Sequence, residues 1–594
     1  MNKYEIERDY SKDNLFDEMG LRRLKDSYML ESEKSPQDRF AFVASAFASN
    51  QAHADRLYNL LSRQILSAST PILSYGTSKK GLPISCYLSY IDDSASGLIN
   101  TLAEICWLSV SGGGVGLGIG IRSEDDKSVG VMPHLKTYEA ISLAYRQGKT
   151  RRGSFAAYLG ISHPNIKQFI DMRKPTGDAN QRCQELHHGV NITDDFMQLI
   201  EDCMKDENCD DAWNLIDPHT GLVKEVVSAK QLWESILETR MRTGEPYLHF
   251  IDESNRQLPE FQKKLNLSVT QSNICTEITL PTDKERTAVC CLASLNLEYW
   301  DEWKDDYQVY RDVAEMLDNA LDIFIRDAPD EVIRAKFSAY RERAIGIGAL
   351  GFHALLQSKG IPFESAMASS VNRQIFSRYE IHLKTVNYDL GLERGECPDG
   401  MGYGVRFSHM SSIAPNASSS IIMGNTSPSI EPFRGNAYRQ DTLSGSFLNK
   451  NKYLDKILVK RIPTLSEYTD AWSSIVSNAG SVQHLECLTQ DEKDVFKTAS
   501  ELDQNWIIQH AADRQPYIDQ AQSVNLFFKA NASLDYLHHV HYMAWKKKLK
   551  TLYYCRSDKI YHGDSMNKKI ERVAMDSMKV PFLKSTEEEC LACE

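Results

Sequence analysis

Near the middle of the chain, Asn273-Ile274-Cys275-Thr276-Glu277 sets an amide, a thiol and a carboxylate at alternate positions. In an extended segment successive side chains alternate sides, so these three would face the same way. A thiol flanked by a hydrogen-bonding amide and a potential base suits a nucleophile, and equally suits hydrogen-atom chemistry on a polyhydroxylated substrate. A polar loop with a chance cysteine is the plain alternative. Further on, Ala288 to Leu297 is an apolar strand pattern holding the adjacent pair Cys290 and Cys291. Strand geometry turns those two side chains to opposite faces, so only one can share a site. Upstream, Ser69-Thr70-Pro71 is followed by Ile84-Ser85-Cys86-Tyr87-Leu88, a second strand cysteine with hydroxyls near it that could hold a phosphate or a sugar. Taken singly, each thiol would also serve as core packing.

The elements that must position these residues are partly legible. Ser35-Pro36 is a helix start with proline in the first turn, leading into Phe40, Val43 and Phe47, and a further helix carries Leu57, Leu60, Leu61 and Ile65. Asp92-Asp93-Ser94 caps an amphipathic helix bearing Leu98, Leu102 and Ile105, which Gly112 to Gly114 stop. Val115 to Ile121 then alternates strictly with glycine, leaving one strand face bare, and something must approach that face closely. Gly346-Ile347-Gly348-Ala349-Leu350-Gly351 matches a dinucleotide-binding turn, but no buried strand precedes it and the first acidic residue beyond is Glu364, so a tight packing turn is expected instead.

The chain has 594 residues, 42% hydrophobic and 25% charged, which fits a globular protein and neither a disordered nor a membrane one. Its formal net charge of -13 disfavours a long nucleic-acid partner. The charged N-terminus is no signal peptide and no apolar run reaches a membrane span, so a cytoplasmic location is expected. Thirteen scattered cysteines do not form a secreted disulfide framework; reduced thiols are expected.

Together, Ser69-Thr70-Pro71 with Ser85-Cys86, the Asn273 to Glu277 triplet, Cys290, Ala414-Pro415-Asn416-Ala417-Ser418-Ser419-Ser420, Gly424-Asn425-Thr426-Ser427 and Lys550-Thr551-Leu552-Tyr553-Tyr554 resemble the large, catalytic subunit of class I ribonucleotide reductase over nearly the whole chain. The resemblance implies an α/β fold, a ten-stranded barrel with a central finger loop. Residues 1–84 would form a helical region, 85–560 the catalytic barrel and 561–594 a flexible tail. Cys275 would be the transient thiyl radical at the finger tip, Cys86 and Cys290 the reducing dithiol, Glu277 a base and Asn273 a substrate-orienting group. Thr70, Ser85, Gly114 and the loop Asn416, Ala417, Ser418 and Ser419 would bind substrate.

By the same resemblance, no cofactor is held tightly by this chain. A metal radical cofactor in a separate small subunit would supply the oxidising equivalent through Tyr553 and Tyr554. Cys590 and Cys593, a C-x-x-C pair, would shuttle electrons to the Cys86–Cys290 disulfide and be reduced by thioredoxin or glutaredoxin. Asp93, Arg122 and Arg151 match positions that bind a nucleoside or deoxynucleoside triphosphate effector at a homodimer interface. The substrates would be ribonucleoside diphosphates. The 85 residues before Cys86 leave no room for the family's ATP-binding cone, so overall ATP/dATP control is in doubt. Two rivals remain: an adenosylcobalamin-dependent reductase, with an incidental tyrosine pair, and an inactive nucleotide-binding subunit.

Overall fold

The computed structural model describes residues 3–77, 81–145, 154–206, 208–442 and 445–557. Arg151 and the expected tail with Cys590 and Cys593 lie outside the described residues. Three helices lead: α1 (Glu18–Ser27), α2 (Pro36–Phe47) and α3 (Gln51–Ser62). Each start is capped by a side chain that accepts from an otherwise unpaired backbone N–H, Asp17, Ser35 and Asn50 in turn. Ser35 does so within a full capping box with Asp38, and Pro36 sits where its missing N–H costs nothing. Phe40, Val43 and Phe47 of α2 and Leu57, Leu60 and Leu61 of α3 are buried in one core, whereas Ile65 lies beyond the end of α3.

Nine strands form the main sheet: β1 (Leu66–Ala68), β2 (Cys86–Ile91), β3 (Gly114–Ile119), β4 (Phe155–Gly160), β5 (His187–Ile192), β6 (Tyr247–Phe250), β7 (Thr287–Asn296), β8 (Ile345–Leu350) and β9 (Thr551–Leu552). Their order is β1-β7-β2-β3-β4-β5-β6-β9, with β8 also on β7. Strands β2 to β6 run parallel, while β7 is antiparallel to β1 and β2 and parallel to β8. Parallel neighbours need crossovers; helix α4 (Ala95–Val110), which Ser94 caps as expected, joins β2 to β3.

Two extended segments carry the hydrogen bonding on from β8. The amides of Ile345 and Ile347 donate to the carbonyls of His409 and Met410, and Ile413 and Ser523 bond to the Ala521 and Ile413 carbonyls. Tyr553 N–H then reaches Val524, beside β9. Through these segments the sheet curls into a barrel with helices outside. The glycines Gly346 and Gly348 therefore lie within β8, not in the tight turn expected. A Cβ on Gly346 would sit 2.2 Å from Ser412 Oγ and one on Gly348 2.6 Å from Ser412 O, so they are small because segment 409–413 packs on them. Only Gly351, ahead of the helix Phe352–Ser358, takes a positive φ, 83°.

The bare face of β3 is covered from inside the barrel. A Cβ on Gly116 would lie 2.1 Å from Ser272 O, and one on Gly118 2.4 Å from Gln271 Oε1. A finger loop crosses there, and residues 271–280 are all buried. The side-chain amide of Asn191 on β5 donates to Thr270 O at 2.8 Å, and the Ala521 amide donates to Glu277 O at 2.9 Å, tying the finger to opposite walls. Beyond the barrel, Ala437, Leu454, Leu458, Trp472, Ile475 and Val482 belong to a small separate core that the sequence does not announce.

One cysteine expectation needs correction. Cys203 and Cys209 form a disulfide, because the chain turns back after the helix Asp194–Lys205 and brings their Cα atoms to 5.0 Å, within bridging range. Nine other described cysteines stand outside any disulfide.

Candidate active site

In β7, Cys290 turns into the barrel interior while Cys291 faces the outer core, its thiol 3.7 Å from Pro83 O. The register sets Cys290 directly opposite Cys86 across the antiparallel β2–β7 pair, and Gly114 is the partner of Cys86 on the other side, in β3. Directly opposed antiparallel residues have Cα atoms about 4.5–5.5 Å apart, the spacing a disulfide requires. Burial, with the Cys86 thiol close by, pushes the Cys290 thiol well above the ordinary range, against a smaller opposing effect from the Gln520 amide 3.7 Å away. At neutral pH this sulfur keeps its proton.

The finger brings its three chemical residues to the same interior, but not through an extended backbone. Thr276 has φ 68°, in the left-handed region that a β-branched residue avoids, and its N–H returns to Asn273 O at 3.3 Å. A turn, not strand alternation, presents Cys275. Asn273 Nδ2 lies 3.4 Å from Cys86 Sγ while its Oδ1 accepts from Ile278 N–H at 3.1 Å, and Tyr158 OH donates to its carbonyl at 2.5 Å. Glu277 Oε1 is 4.0 Å from Cys86 Sγ, and Oε2 accepts from Ser523 Oγ at 3.2 Å. The thiol of Cys275 lies 3.5 Å from Tyr553 OH. Cys86, Cys275, Cys290, Ile274 and Tyr553 belong to one buried cluster.

The Tyr553 and Tyr554 rings are 4.3 Å apart, and Tyr247 of β6 packs against both, at 4.8 and 5.1 Å. Burial raises the hydroxyl pKa of Tyr554 and Tyr247, so both resist simple deprotonation. Tyr553 is 2% exposed and Tyr554 is half-buried, which orders the pair from outside to inside, ending on Cys275.

The expected substrate residues lie on neighbouring chain ends. Gly114 N–H donates to Ser85 O at 3.0 Å, and Ser85 Oγ is buried without a partner among the described residues. Thr70 opens the short helix Thr70–Leu73, and Asn416, with φ 54°, precedes helix α5 (Ala417–Ile422). Asn416 Nδ2 is spent on Ser294 Oγ and Ala414 O, both at 3.1 Å, so its side chain braces the loop while the first amides of α5 have no intrahelical partner. Arg122, expected with Asp93 at an effector site, forms an ion pair with it at 2.7 Å.

Tyr158 holds the finger backbone at Asn273, and Tyr247, Gln520 and Ser523 touch the reactive side chains, yet nothing in their local sequence marks them; only the barrel closure brings them in. Among the described residues no cluster of His, Cys, Asp and Glu could hold a metal ion, and no helix is long and apolar enough to cross a membrane.

The family model "Ribonucleotide reductase, barrel domain" matches residues 84–400 and 398–555, and "Ribonucleotide reductase, all-alpha domain" matches residues 14–81. The chain is 52% identical to the ribonucleoside-diphosphate reductase large subunit of Invertebrate iridescent virus 3, over 94% of this chain and 96% of that one. It is 31% identical to the large subunit of Danio rerio, over 92% and 76%. Among solved structures, the class Id ribonucleotide reductase alpha subunit of Actinobacillus ureae superposes with a TM-score of 0.81 at 34% identity, covering 93% of this chain and 99% of that one.

Proposed function

Since the chain belongs to the ribonucleotide reductase large-subunit family and is the catalytic subunit of a class I ribonucleoside-diphosphate reductase, we propose that its turnover runs through Cys275, Cys86 and Cys290. The observation that carries this assignment is the opposition of Cys86 and Cys290 across β2 and β7, with Cys275 delivered to the same interior by the finger.

One turnover is a balanced exchange: a ribonucleotide and a dithiol give a 2′-deoxyribonucleotide, a disulfide and water. The Cys275 thiyl takes the 3′ hydrogen, Glu277 accepts the 3′ hydroxyl proton and Asn273 holds the sugar. A 2′ hydroxyl is a poor leaving group until a proton reaches it, and the protonated Cys86–Cys290 pair supplies that proton, the hydrogen that takes the hydroxyl's place on the 2′ carbon and the two electrons, leaving as a disulfide. The hydrogen then returns from Cys275 to the 3′ carbon and the proton from Glu277 to the 3′ oxygen, restoring the thiyl and the carboxylate. The 3.5 Å contact of Tyr553 with Cys275 and the Tyr554 ring 4.3 Å beyond it support a relay from the small subunit, whose metal cofactor supplies the oxidising equivalent.

Substrate contacts are assigned to Thr70, Ser85, Gly114 and the Asn416, Ala417, Ser418 and Ser419 loop; the Ser85 hydroxyl, buried without a partner among the described residues, supports this. Effector binding is assigned to Asp93, Arg122 and Arg151. Exposed Ile99 and Trp107 on α4, with Leu143 and Tyr145 on and just after the helix packed beside it, support a homodimer interface there. Cys590 and Cys593 are assigned the return of electrons from thioredoxin or glutaredoxin.

The test mixes the full chain with a small subunit, a dithiol, CDP and an effector. Wild type forms dCDP, whereas Cys275→Ser and Tyr553→Phe do not. Product from Tyr553→Phe with adenosylcobalamin and no small subunit would overturn the tyrosine route.

A further inference from the structure

We propose that Arg23, on α1 of the helical region, is a direct ligand of the substrate diphosphate. This rests on the assignment of the 416–419 loop to the phosphate end of the substrate. Arg23 Nη2 donates to Ser418 Oγ at 2.8 Å, inside that loop, while its Nε is buried with no hydrogen-bond acceptor among the described residues. A guanidinium carries five donors in a planar fork, and leaving buried ones unmet is costly unless a ligand supplies the acceptor. The missing acceptor is an oxygen on the Ser418 side.

Three further observations point the same way. First, α1 is built to lie against α5: a Cβ on Gly20 would stand only 3.2 Å from the Ile421 carbonyl, so a larger residue there would push the two apart. Second, α1 reaches a second expected substrate residue, since the hydroxyl of Tyr28, immediately after its end, is 3.3 Å from Thr70 Oγ1. One helix thus touches both Ser418 and Thr70. Third, Thr70, Ser85, Asn416, Ala417, Ser418 and Ser419 are all uncharged, and the Asn416 amide is already spent. A diphosphate is a polyanion; hydroxyls and backbone amides solvate it without neutralising it. Arg23 supplies a cation whose fork matches two phosphate oxygens at once, and no carboxylate among the described residues competes for it.

The experiment measures dCDP formation by the full chain with its small subunit, effector and dithiol, across CDP concentrations, for Arg23→Gln, Arg23→Lys and Ala417→Asp. Arg23→Gln raises KM for CDP about tenfold or more, the scale of a hydrogen bond to a charged group, with kcat at saturation little changed. Arg23→Lys recovers part of the loss, and Ala417→Asp raises KM by repulsion. If Ala417→Asp raises KM while Arg23→Gln does not, the loop assignment stands and the role of Arg23 is overturned. If neither raises it, the loop assignment itself fails. Equal loss of kcat and thermal stability in both Arg23 variants, with KM kept, would mark a packing role and also overturn the proposal.

Discussion

The sulfur of Cys290 shows how a residue's chemistry is set by what surrounds it. Its neighbour Cys291 has the same side chain and is equally buried, yet it faces the core, with the Pro83 carbonyl 3.7 Å from its sulfur. Strand alternation made that division legible in the sequence, and the structure bears it out. The finger residues were legible by type and not by geometry: the extended triplet is replaced by a turn at Thr276, because the chain must reverse inside the barrel. Tyr158, Gln520 and Ser523 were not legible at all, since their contacts span large sequence separations. Glu277→Gln keeps its hydrogen-bonding shape and loses its basicity. Its expected effect is a fall in kcat of about 10²–10⁴-fold, the range for a general base, with CDP binding retained by calorimetry. Unchanged turnover would remove Glu277 from the mechanism.

At the scale of elements, the fit between β3 and the finger dominates. Alternating glycine foretold a close approach, though not what approached; the finger backbone lies against Gly116. Gly116→Ala is expected to displace the finger, lower Tm at a cost of about 1–3 kcal/mol and abolish dCDP formation. Gly160→Ala, where a Cβ would meet nothing within 4 Å, should be tolerated in both measurements. The helix Ile333–Glu342 packed near β7 carries a second test. Burial pushes the Glu342 carboxyl up to about 8, opposed by the Arg286 guanidinium and reinforced by Asp399 and Asp283. The unfolded chain releases that proton near pH 4.3, so the folded state binds more protons between the two values. Stability from this group is complete below pH 4 and is lost as pH rises through 8. Glu342→Gln therefore gains on wild type between pH 5 and pH 8, on the order of a few kcal/mol, by urea denaturation. A difference that does not change with pH would contradict this.

Across the whole molecule, helical caps and strand patterns declared the fold class, whereas the barrel's closure did not declare itself. It depends on segments 409–413 and 520–525, which have weak patterns of their own and take their backbone partners from β8, from each other, from the finger at Glu277 and from the 551–555 stretch. The core around Ala437 and Trp472 was likewise hidden, because each of its short helices looks like an ordinary crossover. The exposed apolar side chains of α4 belong to this scale: Ile99→Asp with Trp107→Glu is expected to shift a dimer to monomer in sedimentation and to remove effector control of substrate choice. A persistent dimer would place the interface elsewhere. Turnover by this chain consumes two opposed sulfurs in step with product. The most direct measurement uses the Cys590→Ser, Cys593→Ser chain, fully reduced, with small subunit, CDP and effector but no external reductant, followed by peptide mapping of the disulfides. One Cys86–Cys290 disulfide should form for each dCDP, and none when Cys275→Ser is added. Formation of dCDP with both thiols still reduced would contradict it.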